Sequence, residues 1–143
     1  MKRIVILMIL LTMALNSWAV NIEVRDDIPP GLRSRIEKLY PKVCDVLGMY
    51  PDSFPVNVLL FKNNKELAMA LDGFLFHEGA YDYRNNTLYF SASNVGDEVL
   101  IHELAHAVCY RYAGDKISLK SQEILAGYCQ HTLTKGATDG SKK

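Results

Sequence analysis

Only three cysteines occur in the 143 residues, Cys44, Cys109 and Cys129, and none belongs to a Cys-x-x-Cys pair. A cysteine-only zinc site therefore has little support. Positive charge is not in excess either: 16 Lys and Arg stand against 16 Asp and Glu, with no basic cluster. Such a chain lacks the electrostatic footprint of a nucleic-acid binder, so no nucleic-acid partner is expected. The sequence has no internal repeat and no low-complexity stretch, which removes repeat arrays and disordered linkers. Beyond residue 19 no segment approaches the roughly 20 apolar residues of a spanning helix.

The first 19 residues have a different character. Lys2 and Arg3 precede an apolar run, Ile4 to Leu15, broken only by Thr12, and Ser17-Trp18-Ala19 ends in small residues. This is the pattern of a secretory signal peptide cleaved after Ala19; an uncleaved anchor is the alternative, but the run is short for one. The expectation is a protein exported to a periplasm or secreted, with no stable membrane anchor after cleavage. Residues 20–135 would form one domain, expected to be a monomer, and residues 136–143, polar throughout, a flexible tail. Loss of Lys2 and Arg3 leaves 14 basic against 16 acidic side chains. An oxidising compartment favours one disulfide and one leftover thiol.

Along the domain, Asn21 to Asp27 reads as a short strand. Leu32, Ile36, Leu39, Val43, Val46 and Leu47 recur at helical spacing after Pro29-Pro30-Gly31, giving a helix over 31–47 that is kinked or divided at Pro41. Val56 to Phe61 is β-branched and apolar, a buried strand. Asn63 or Asn64 caps a helix over 65–72, and a loop holding Phe74, Phe76 and His77 follows. Ala80 to Tyr83 and Thr87 to Ser91 flank Arg84-Asn85-Asn86, a hairpin signal because Asn tolerates positive φ. Asn94 is placed to cap a helix that Gly114 ends, and a last helix runs from about Leu119 to Thr134. The order helix, strand, helix, hairpin, helix, helix specifies an α+β domain with a small mixed sheet and a helical half.

The helix before Gly114 carries the chemistry. His102 and His106 are four apart, about 40° in direction, so both rings can reach one ion. Glu103 points to the side, where it can take a proton from a water at that ion without being a ligand. Leu100, Ile101, Leu104, Ala105, Ala107 and Val108 make the helix apolar nearly all round, so it is buried and its polar groups need partners. A shared metal satisfies all three. An open zinc site takes a third protein ligand. Cys109 and Tyr112 stand where a metzincin would have glycine and histidine, which closes that option. Cys109, Asp115, His131 and His77 are candidates, and Glu123, on the next helix with 16 residues intervening after His106, is the strongest.

His102-Glu103-Leu104-Ala105-His106 followed by Glu123-Ile124-Leu125-Ala126-Gly127-Tyr128 resembles the gluzincin zinc metallopeptidases, specifically the small peptidase-MA-like group. Their second helix carries Glu-Gly-x-Ala-x-Tyr. Glu123, Ala126 and Tyr128 match it; Ile124 replaces the usual glycine, and Gly127 stands where an acidic residue is common. The resemblance implies a zincin-like fold with an edge hairpin packed on the active-site helix. It also implies Zn²⁺ held by His102, His106 and Glu123, with Glu103 as general base and Tyr128 as donor to the oxyanion. A core role for Tyr128 is the alternative. The strand Thr87 to Ser91 would pair with an extended peptide or protein substrate, unless it is an ordinary hairpin strand. With Gly127 lacking a side chain, Asp97, Glu98, Asp115 or a backbone carbonyl is expected to orient the zinc histidines.

The function implied is hydrolysis of peptide bonds. The alternatives are a zincin-like domain that binds metal with little or no catalysis, and a secreted interaction protein without metal. One expectation concerns the thiols. Two helices joined by a short loop and meeting at His106 and Glu123 would carry Cys109 and Cys129 apart along their axes, leaving Cys44 with Cys129 as the better disulfide pair.

Overall fold

The structure, a computed structural model, describes residues 22–24, 28–71, 78–93 and 95–138. Residues 1–19, read above as a signal segment, and His77, Asn94 and residues 139–143 lie outside these. The strands are β1 (Ile22–Val24), β2 (Phe54–Phe61), β3 (Gly79–Asp82) and β4 (Thr87–Ser91). The helices are α1 (Pro30–Leu47), α2 (Asn64–Ala70), α3 (Asp97–Ala113) and α4 (Leu119–Thr138), with a 3₁₀ turn at Gly114–Lys116 between the last two. The domain is α+β. Among the described residues no helix is long and apolar enough to cross a membrane.

Strand order is β1-β2-β4-β3. β1 runs parallel to the start of β2, β2 and β4 are parallel, and β3 returns antiparallel on β4. The three strands β2, β4 and β3 make the mixed sheet beside the site. Asn86 adopts φ 50° in the hairpin turn, as an asparagine tolerates. Val58 lies opposite Leu88 and Leu60 opposite Phe90, and Val56, Val58, Leu88 and Phe90 are buried. β4 is thus an interior strand. The free edge belongs to β3, which corrects the expectation that Thr87 to Ser91 forms the edge. The hairpin lays its second strand on β2, and only the first is left with an open side.

α1 is one helix through Pro41 rather than two. Proline removes a backbone donor inside a helix, but Tyr40, Val43 and Cys44 beside it are fully buried, and that packing offsets the loss. Gly48 ends it at φ 63°. Asn63 caps α2, its side chain accepting from the Glu66 N–H at 3.0 Å. α3 begins at Asp97 with Gly96 in the cap position, not at an asparagine cap. Its only polar side chains among the buried ones are Glu103 and His106; Leu100, Ile101, Leu104, Ala105, Ala107, Val108 and Cys109 complete the set. α4 continues past Thr134 to Thr138.

All three cysteines are buried and free, so the expected Cys44–Cys129 bond is not formed. Burial, then the neighbouring Cys109 and Cys44 thiols, push the Cys129 thiol up to about 12. Cys109 and Cys129 are not bonded to each other, as expected. The thiols act as small apolar fillers of the core.

α3 is the central support, packed on α1, α4 and β3. Leu104 is fully buried there, so Leu104→Ala is expected to cost about 2–5 kcal/mol, as large-to-small core changes do. Urea denaturation checks this; a loss well under that range would mean that α3 is not the core helix.

Candidate metal centre

The site grows from the pairing of α3 with α4. A four-residue interval on α3 puts His102 and His106 one turn apart on one side, facing Glu123 of α4. His102 Nε2 lies 3.3 Å from Glu123 Oε2, and His106 Nε2 lies 3.3 Å from Glu123 Oε1. The two Nε2 atoms are themselves 3.3 Å apart. These donors all fall within 4.8 Å of one another and form the one His/Cys/Asp/Glu group among the described residues so arranged. Donors at zinc–ligand distances of about 2.0–2.1 Å on three corners of a tetrahedron are separated by about 3.3–3.4 Å. The distance between the two Nε2 atoms, and that from each ring to its nearer Glu123 oxygen, match this value.

The outer ring nitrogens decide what the inner ones offer. His106 Nδ1 is 3.4 Å from Gln122 Oε1, and His102 Nδ1 is 3.3 Å from Gln130 Oε1. An amide oxygen only accepts, so each Nδ1 carries the proton and donates. The Gln122 amide is fixed in this sense because its Nε2 donates to the Ile117 carbonyl at 3.1 Å. Both Nε2 lone pairs then point at the same space, together with a carboxylate. Three electron-rich atoms converging there suit a cation. Burial holds the His106 ring below its ordinary pKa, against an opposing pull from Glu123, which keeps it in the neutral, ligating form. Among the residues expected to orient the histidines, Asp97 is instead engaged with Arg35 at the start of α3, at 2.7 Å. Glu98 and Asp115 line cavities beside the site without bonding either ring. Two glutamines occupy that role.

Compared with family models, with curated proteins and with solved structures, the chain matches none. The chemistry of the site therefore rests on its own atoms.

Glu103 is buried, beside the triad and outside it. Burial, reinforced by the Glu123 charge, pushes its carboxyl up to about 8, and the backbone N–H of Tyr81 pulls the other way. A carboxyl so placed is mostly protonated at neutral pH, and a cation at the triad would lower it towards the range of a general base. A cleft of about 510 Å³ opens on His102, Glu103, His106 and Glu123, and a smaller one of about 250 Å³ reaches His102 and Glu103 from the other side. β3, not β4, walls both. Tyr128 is 58% exposed and lines neither cavity. Five residues along a helix turn it about 140° from Glu123, so the structure does not bring it to the site. Cys109 is buried in the core, and His131 is exposed on α4 outside the triad.

Several residues of the site were not singled out in the sequence. Gln130 had a signal: it follows Glu123 by seven, two turns along the same face of α4. Gln122 and Tyr81 had none. Gly79 is understood only from packing. A Cβ there would stand 2.9 Å from Val99 Cγ1, 3.0 Å from Phe90 Cδ1 and 3.1 Å from Glu103 Cγ. Glycine lets β3 lie close against α3 with Glu103 beneath it. Gly79→Ala is expected to destabilise the protein by about 1–3 kcal/mol, the usual cost of overpacking. Adding Val99→Ala removes the closest contact and is expected to recover part of that loss. A double-mutant cycle by denaturant titration measures it, and strict additivity would contradict the close approach.

Proposed function

We propose that the protein is an exported zinc-dependent metallopeptidase of gluzincin type with a zincin-like fold. One observation supports the reading: the Nε2 atoms of two histidines lie 3.3 Å from each other and each lies 3.3 Å from one oxygen of the Glu123 carboxylate, beside a buried glutamate outside the triad. His102, His106 and Glu123 hold the metal. When bound, zinc would supply Lewis-acid polarisation of the scissile carbonyl. Glu103 would accept the proton of the attacking water and deliver it to the leaving amine. Gln122 and Gln130 keep the two rings oriented and their inner nitrogens unprotonated. The free edge of β3 offers backbone groups to an extended peptide.

A second reading is a metal-binding domain with little turnover. The exposed position of Tyr128, away from the cavities on the triad, favours it, since a donor to the developing oxyanion is then missing from that residue.

Replacement of Glu103 by Gln keeps size and loses basicity, so zinc content is expected to stay at one per chain. Hydrolysis of an unstructured protein such as casein is expected to fall by about 10²–10⁴, the usual worth of general-base help. His102→Ala and Glu123→Ala are expected to lose both zinc and activity, while Asp115→Ala keeps zinc. Elemental analysis and a cleavage assay on the same preparations decide. A Glu103→Gln protein as active as its parent refutes the mechanism, and a parent that binds zinc yet cleaves nothing favours the second reading.

Metal binding to the folded chain also adds stability, about 2.7 kcal/mol at a free zinc concentration 100 times Kd. Thermal unfolding with and without zinc measures this, and an unchanged Tm would count against a preformed site.

A further inference from the structure

We propose that the larger cleft is a subsite for a basic side chain, arginine or lysine, of a bound peptide. The ligand's being a peptide rests on the function proposed above; its charge rests on the cleft itself. One wall is aromatic. Tyr83 and Tyr110 have ring centroids 4.8 Å apart, and Tyr81 lies 6.5 Å from Tyr110. All three line the cleft together with Asp115, whose carboxylate is exposed and belongs neither to the triad nor to the proton-transfer step.

Away from the metal ligands, the charge lining the cleft has one sign. No lysine or arginine lines this cleft among the described residues, nor the smaller cavity across the triad, where Glu78 and Glu98 add two more carboxylates. Two cations stand next to the tyrosines, and neither opens into the cleft. Arg111 reaches the Ser53 carbonyl at 3.5 Å, and Arg84 lies over the Tyr83 ring at 5.7 Å from its centroid. The Arg84 contact shows that this ring accepts a guanidinium. A side chain with a long apolar stem and a cationic head fits tyrosine faces ending at a carboxylate. A volume of about 510 Å³ holds it with room for the flanking backbone.

The test is equilibrium binding to the full chain supplied with zinc. Its probes are blocked peptides of alanine that differ at one central position, carrying arginine or citrulline, its neutral isostere. Kd is read from side-chain NMR shifts of the tyrosines, and loss of intact peptide is followed in the same samples. Surface cation–π contacts and exposed ion pairs are each modest, so the arginine peptide is expected to bind about three- to tenfold more tightly. In Asp115→Asn, which changes an exposed side chain, that ratio is expected to fall towards one. Equal affinity for the two peptides in the parent, or no binding of either, overturns the subsite. A ratio that persists in Asp115→Asn overturns the assignment to this cleft. An arginine preference without any hydrolysis supports the subsite and counts against the peptidase reading, so the two stand or fall separately.

Discussion

The site depends on one constraint: polar groups on a helix that is otherwise core. Nearly every side chain of α3 from Leu100 to Cys109 is buried, and such a helix cannot carry histidine and glutamate without partners. The fold answers by stacking α4 along it. Glu123, Gln122 and Gln130 come from that one helix and meet both imidazoles. The outer nitrogens are satisfied by amide oxygens, and the inner ones are left as a converging pair of lone pairs against a carboxylate. Electrostatic repulsion among those groups is what a cation would relieve, since each ring nitrogen lies 3.3 Å from the other and from one carboxylate oxygen.

Glu103 depends on an adjoining side of the same helix, about 100° round from His102. There the partner is not another side chain but the edge strand β3, whose Tyr81 N–H faces the carboxylate. Gly79 allows that strand to approach, with no Cβ to press on Val99, Phe90 and Glu103. The triad and Glu103 are therefore held by different neighbours, α4 and β3, and α3 is the shared support. This division suits the metal-assisted hydrolysis proposed above: ligands fixed in one geometry, and a nearby base free of the metal to move a proton. The cleft between the two neighbours, with tyrosines on one side and carboxylates around it, gives the site a direction as well as a centre.

Much of this was legible in the sequence because it is local. The helical spacing of Leu32, Ile36 and Val43, the turn signal at Asn85-Asn86, the Asn63 cap and the one-turn interval between His102 and His106 are all set within a few residues of chain. They correspond to the elements found. The choice of Glu123 as the third member was legible through its helix and its position after a short loop, and the triad has the expected members within 4.8 Å.

What only the tertiary structure decided lies in long-range packing. Sequence could not say that β4 inserts between β2 and β3, because strand order follows from which apolar faces meet, not from the hairpin itself. It pointed to Asp97, Glu98, Asp115 or a backbone carbonyl as the histidines' partners, whereas two glutamines reach them, since only the register of α4 on α3 determines who faces whom. The same register leaves Tyr128 in solvent and gathers three thiols in the core. The sequence by itself determined a buried helix with two histidines and a glutamate, because periodicity and composition are properties of one segment. The three-dimensional packing decided which atoms they meet, because a contact between segments depends on the angle and depth at which both are buried.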